Sequence, residues 1–130
     1  MNLQLSLIAE WWNMTNSLIK TEDYRLITPY WCNRFLLYKG QTRSKAEWYE
    51  GMFNGYISPI SEIQLYIGAG LIEFKKFDCN VMTLGYPKST DTERILKLEH
   101  KGIELRVGNP KWGADSDKLY FVIKHGAVLD

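Results

Sequence analysis

The sequence predicts an α+β fold in which a small barrel or strongly curled sheet is flanked by helices. Three observations predict it. The first half of the chain mixes helical and strand patterns, whereas from residue 77 onward nearly every segment reads as β. The stretch 101–128 sets alternation, turn chemistry and an isolated aromatic in order: Ile103, Leu105 and Val107 alternate with Glu104 and Arg106, a loop with Asn109, Pro110 and Gly113 holds Trp112, and a second apolar run closes at Gly126. A chain of 130 residues with 45% hydrophobic and 24% charged residues is long enough for one core and too short for two comfortable ones.

Residues 1–20 carry Ile8, Trp11, Trp12, Thr15, Leu18 and Ile19 at helical spacing, which predicts an N-terminal helical extension packed on the sheet or covering its edge. The Trp11-Trp12 pair is also the candidate contact for a protein partner. A short strand at 24–28 comes next. Thr28 is placed to cap a helix with Pro29 in its first turn, and Trp31, Phe35 and Tyr38 fall on one face before Gly40 stops it.

Lys39-Gly40-Gln41-Thr42-Arg43 is a polar, cationic stretch, and Arg34 adds to it if it projects opposite Trp31 and Phe35. Such density suits phosphate oxygens, although a solvated loop is the simpler reading of the same residues. Ser44 and Glu47 fit a capping box for a short helix through Trp48 and Met52. After Ser58-Pro59 two patterns compete: Ile63, Leu65 and Ile67 alternate as a strand, while Ile60, Ile63 and Ile67 suit a helix face. The Gly68-Ala69-Gly70 break favours the strand. Residues 77–86 read as a strand turning at Gly85. Residues 94–100 read as another, broken at Lys101-Gly102 before the strand from Ile103.

The formal charge of +1 advertises no global field for nucleic acid, so any such site must be local. Cys32 and Cys79 have no zinc spacing and are too few for a disulfide scaffold, which predicts a reducing, cytoplasmic setting with no metal and no cofactor. No apolar run approaches a membrane span, so no membrane partner is expected. His100 and His125 sit beside glycines at strand ends, where packing or turn roles are commoner than catalysis. Aromatics stand at 14%, with five Trp and eight Tyr, enough for a few exposed stacking surfaces. Trp112 either stacks on a base or folds back to plug the barrel end, and Tyr86 carries the same alternative.

Several pieces together resemble the ASCH domain of the PUA-like superfamily: LITPYWCNRFL at 26–36, FKKFD at 74–78, LGY at 84–86, KGI at 101–103, GNPKWGA at 108–114 and FVIKHG at 121–126. The similarity is greatest to small members often carried by phages and prophages, and covers residues 24–129 of what reads as a single domain over 1–130. It implies a PUA-like β-barrel with an extra N-terminal helix, and a cleft between barrel and first domain helix that takes RNA or a modified nucleoside or nucleotide. Residues 44–72 then read as an insertion. By this resemblance Arg34, Lys39, Gln41, Thr42, Arg43, Tyr86 and Trp112 are candidate ligand contacts. Some members remove an acyl group from the exocyclic amine of cytidine, and Lys39 and Thr42 keep their Lys-x-x-Thr spacing. Glu104, or alternatively Glu99, is then the candidate carboxylate beside Lys39 and Thr42 as nucleophile and base. Two departures stand out: Arg43 follows Thr42 directly where the hydrolases place an arginine one residue later, and Thr83-Leu84 replaces a polar pair before Gly85-Tyr86.

Overall fold

The computed structural model describes residues 1–55 and 58–129. Its frame is a strongly curled, mixed five-stranded half-barrel in the order β1-β5-β6-β7-β2, with four helices and a separate two-stranded ribbon among the described residues. The strands are β1 (Leu3–Leu7), β2 (Glu22–Arg25), β5 (Cys79–Leu84), β6 (Ile95–Val107) and β7 (Leu119–Val128). Only β1 and β5 run parallel; the other pairs are antiparallel. The ribbon joins β3 (Leu36–Tyr38) to β4 (Ile72–Phe74). The helices are α1 (Ala9–Asn16), α2 (Pro29–Phe35), α3 (Lys45–Trp48) and α4 (Pro59–Gly68). No helix among the described residues is long and apolar enough to cross a membrane.

The N-terminus corrects the expectation of one helix over 1–20. Leu3, Leu5 and Leu7 alternate with polar residues and all three are buried, so the segment is an edge strand of the sheet. The helix begins only at Ala9. Its Trp12 is buried and donates Nε1–H to the Met82 carbonyl at 3.1 Å, which pins α1 to β5. Trp12 therefore belongs to the core, while Trp11 is only half-buried.

Helix α2 starts where expected, with the Trp31 N–H donating to Thr28 Oγ1 at 3.3 Å and Pro29 in the first turn. It ends at Phe35 and not at Gly40, because residues 36–38 leave the helix to pair with β4. The capping box at α3 is present in both directions: Glu47 N–H donates to Ser44 Oγ and Ser44 N–H to Glu47 Oε1, each at 3.1 Å. A single π-helical turn, Tyr49–Phe53, continues it.

Residues 59–68 overturn the strand expected at 63–67. Ser58 caps the segment, Pro59 occupies its first turn, and Ile63 is fully buried while Leu65 is exposed. The helical spacing of Ile60, Ile63 and Ile67 prevails over the alternation, and Gly68 and Gly70 end a helix here. Residues 56 and 57, within the stretch read as an insertion, lie outside the described residues.

Strand β6 runs through the break expected at Lys101-Gly102. The chain bulges there instead, with register shifts between Leu98 and His100 and between His100 and Ile103. Strand β7 is buried on both faces: Phe121 and Ile123 join the main core with Phe35, Leu36 and Trp48, while Tyr120 and Val122 pack with Ala114 and Tyr24 on the other. Each such large apolar side chain stabilises the fold by about 1.5–3 kcal/mol relative to exposure.

Candidate functional site

The polar run after α2 folds as a tight hairpin turn. Tyr38 and Gln41 exchange backbone hydrogen bonds at 2.9 and 3.0 Å, and Lys39 and Gly40 both take positive φ, 50° and 76°. Two consecutive left-handed residues mark a type I′ turn, which explains Lys-Gly at this place by backbone geometry. Lys39, Gln41 and Thr42 are exposed. Arg43 lies over the Tyr38 ring at 4.0 Å and the Trp48 ring at 5.3 Å, so its guanidinium packs the hairpin against α3.

Glu104 is engaged elsewhere. It accepts from Arg106 Nε at 2.8 Å and faces Lys124 Nζ at 3.7 Å, and Arg106 bridges on to Glu22. The hydrogen bond from Arg106 holds the Glu104 carboxyl below its usual range. Among the described residues Lys39, Thr42 and Glu104 share no hydrogen bond and line none of the three described cavities.

Two other candidates do line a cavity together. Arg34 and Tyr86 border a cleft of about 640 Å³ between α2, β1 and the Tyr86 turn. On its α2 side Tyr30 and Trp31 pack edge to face at 4.8 Å, and Trp31 stacks on Phe35 at 5.2 Å. Two guanidiniums lie near the Trp31 ring, Arg25 at 5.3 Å and Arg34 at 5.5 Å from its centroid. Arg34 also donates to Tyr30 Oη and to the Gln4 carbonyl, both at 3.0 Å. Arg25 donates to the carbonyls of Tyr24 and Ser6 at 2.9 and 3.2 Å. The cations are thus oriented before any ligand arrives. Tyr86 stands 96% exposed at the mouth.

Trp112 lines a second cleft of about 270 Å³, with Trp11, Lys20, Tyr24 and Tyr120. Its ring is half-buried, so it is a wall and not a plug. Gly113 turns the loop at φ 96°, and a Cβ there would stand 2.9 Å from Trp11 Cζ2, so glycine lets the loop close on α1. Trp11, Arg25 and Trp31 line both clefts, so the two adjoin at these side chains, and together they are called the groove below. A third cavity, about 570 Å³, adjoins the first along Ser6, Leu7, Ile8 and Tyr86.

A buried polar chain lies behind the second cleft. His100 Nδ1–H donates to Asn80 Oδ1 at 2.6 Å, and the Asn80 amide donates to His125 Nδ1 at 2.7 Å and to the Lys124 carbonyl at 3.2 Å. His125 Nε2–H donates to Asp23 Oδ2 at 2.7 Å, and Lys20 Nζ donates to Asp23 Oδ1. The tautomers follow from the amide, whose NH2 end is fixed by the Lys124 carbonyl. The Lys20, Asp23 and His125 side chains are each only 2% exposed. Burial alone pushes the Asp23 carboxyl upward, but the hydrogen bond from His125 and the Lys20 charge outweigh it and hold it below its usual value. Burial lowers Lys20 despite Asp23. No group of three or more His, Cys, Asp or Glu able to hold a metal occurs among the described residues.

Sequence reasoning singled out Arg34, Tyr86 and Trp112 but not Arg25, Tyr30 or Lys20, nor Trp11 and Trp31 as cleft walls. Lys20 and Arg25 sit in the mixed-charge run Lys20-Thr21-Glu22-Asp23-Tyr24-Arg25, which carries no sign in sequence that it borders a cleft. Comparison of the chain with protein-family models, with curated proteins and with solved structures finds no match.

Proposed function

We propose that the groove binds a nucleotide, free or as a unit of single-stranded RNA, and that the chain is an ASCH-type member of the PUA-like superfamily. One observation carries the reading: two preoriented guanidiniums lie beside the Trp31 ring in an open cleft that an exposed Tyr86 also lines. Guanidinium forks suit phosphate oxygens, and aromatic faces suit bases whatever their sequence. The position between the curled sheet and α2 agrees with the cleft that the ASCH resemblance implies. The binding contacts on this reading are Arg25, Arg34, Trp31 and Tyr86, with Trp112 in the adjoining cleft, while Lys39, Gln41 and Thr42 lie outside.

Fluorescence anisotropy with a short labelled single-stranded RNA tests it. Arg34→Ala weakens binding about tenfold or more and flattens its salt dependence, whereas Lys39→Ala leaves both unchanged. Equal affinity of the Arg34→Ala variant and the parent chain would sink the reading.

A further inference from the structure

We propose that the third cavity is a second nucleotide subsite, so that the ligand is a stretch of single-stranded RNA laid across both cavities and not a free mononucleotide. The assignment rests on the nucleotide reading above and decides between its two forms.

The floor is continuous from one cavity to the other. The first cleft and the third cavity share Ser6, Leu7, Ile8 and Tyr86, so the end of strand β1 and the residue after it run beneath both. The two measure about 640 and 570 Å³, and each alone has the size of a small-ligand site. Their shared rim is open, with Ile8 64% and Tyr86 96% exposed. A site for a free small molecule buries most of that molecule's surface. A surface that is open at the rim and passes from one subsite into the next instead lets a chain enter and leave.

The chemistry repeats along that floor. Arg25 and Arg34 line the first cleft and Arg94 the third cavity, and no Asp or Glu lines either one. The hydrogen bonds of Arg25 and Arg34 go to carbonyls and to the Tyr30 hydroxyl, all uncharged acceptors. Arg94 faces Asp91 at 3.9 Å with both side chains exposed, a surface pair that costs little to exchange for a phosphate. Between the two sets of cations stands Tyr86, which borders both cavities and follows Gly85 in its turn at φ 65°. Ala9 and Leu84 give the third cavity apolar lining for a base. Cation, ring and cation in that order match the alternation of phosphate and base along a single strand.

Competition against the labelled RNA by unlabelled UMP and hexauridylate tests this on the full chain. Joining the units makes the second contact intramolecular, so hexauridylate is expected to compete at least about a hundredfold better than UMP. Arg94→Ala changes only an exposed side chain. It is expected to weaken hexauridylate several-fold and to lower the steepness of its salt dependence by about 0.7 in log–log slope, one phosphate contact on a single strand. UMP competing as well as hexauridylate, or an unchanged slope in Arg94→Ala, would overturn the second subsite and leave the nucleotide reading standing. No binding of UMP, hexauridylate or the labelled RNA would overturn both.

Discussion

The groove and the Lys39 hairpin both bring cations to aromatic rings. They differ in what the cations do. In the hairpin, Arg43 is spent on Tyr38 and Trp48, and the positive φ of Lys39 shows a residue placed for a turn. In the groove, Arg25 and Arg34 are held by backbone carbonyls and by Trp31 at the edge of an open cleft. Local density of charge therefore says less about a site than whether folding has left that charge facing a concave surface.

The contrast breaks most visibly at Asp23. Asp23→Asn leaves the Lys20 ammonium buried without a carboxylate, and urea denaturation is expected to show a loss of about 3–5 kcal/mol. An equally large loss on Arg43→Ala in the hairpin would erase the distinction drawn here.

Acid sharpens it next. Burial, with the nearby His125 adding to it, lowers the His100 pKa in the folded state. Between that lowered value and about 6.5 the unfolded chain binds more protons than the folded one, so stability rises with pH through this window and is lost as pH falls through it. Asp23, also lowered, adds a second loss at more acid pH, below about 3.9, as its carboxylate is protonated in the unfolded chain first and in the folded state later. Thermal melts between pH 7 and pH 5 check the first window, and His100→Gln should flatten it.

The smallest expected effect separates the two helix starts. Thr28→Ala frees a backbone N–H at the helix that carries Tyr30, Trp31 and Arg34, costing about 1 kcal/mol and weakening RNA binding several-fold. Ser44→Ala uncaps the short helix beside the hairpin, and RNA affinity is expected to stay unchanged. Anisotropy on both variants checks the pair.

Much of the fold was legible because its signals are local. Thr28-Pro29, the Ser44 and Glu47 capping box and the alternating strands of the second half specify their own geometry within a few residues. The first strand was hidden by its neighbour: a helical stripe from Ile8 onward drew attention from the alternation of Leu3, Leu5 and Leu7. At 59–68 two periods coexist in one apolar run, and the tertiary contact of Ile63 decides between them. The groove was half legible. Arg34 and Trp112 stood out, but Lys20 acquires meaning only through Asp23 and then His125, which lies 102 positions beyond Asp23. No window along the sequence contains that pair.

The parallel pairing of β1 with β5 has a consequence for how the chain is made. Strand β1 finds its sheet neighbour among the described residues, 80–84, more than seventy positions later in the chain. Until then Leu3, Leu5 and Leu7 form an unpaired apolar edge, and the first cleft, bordered by β1, does not exist. The first cleft therefore forms only once β5 has been made and paired with β1, and by the dependence of rate on contact distance that pairing is a slow step.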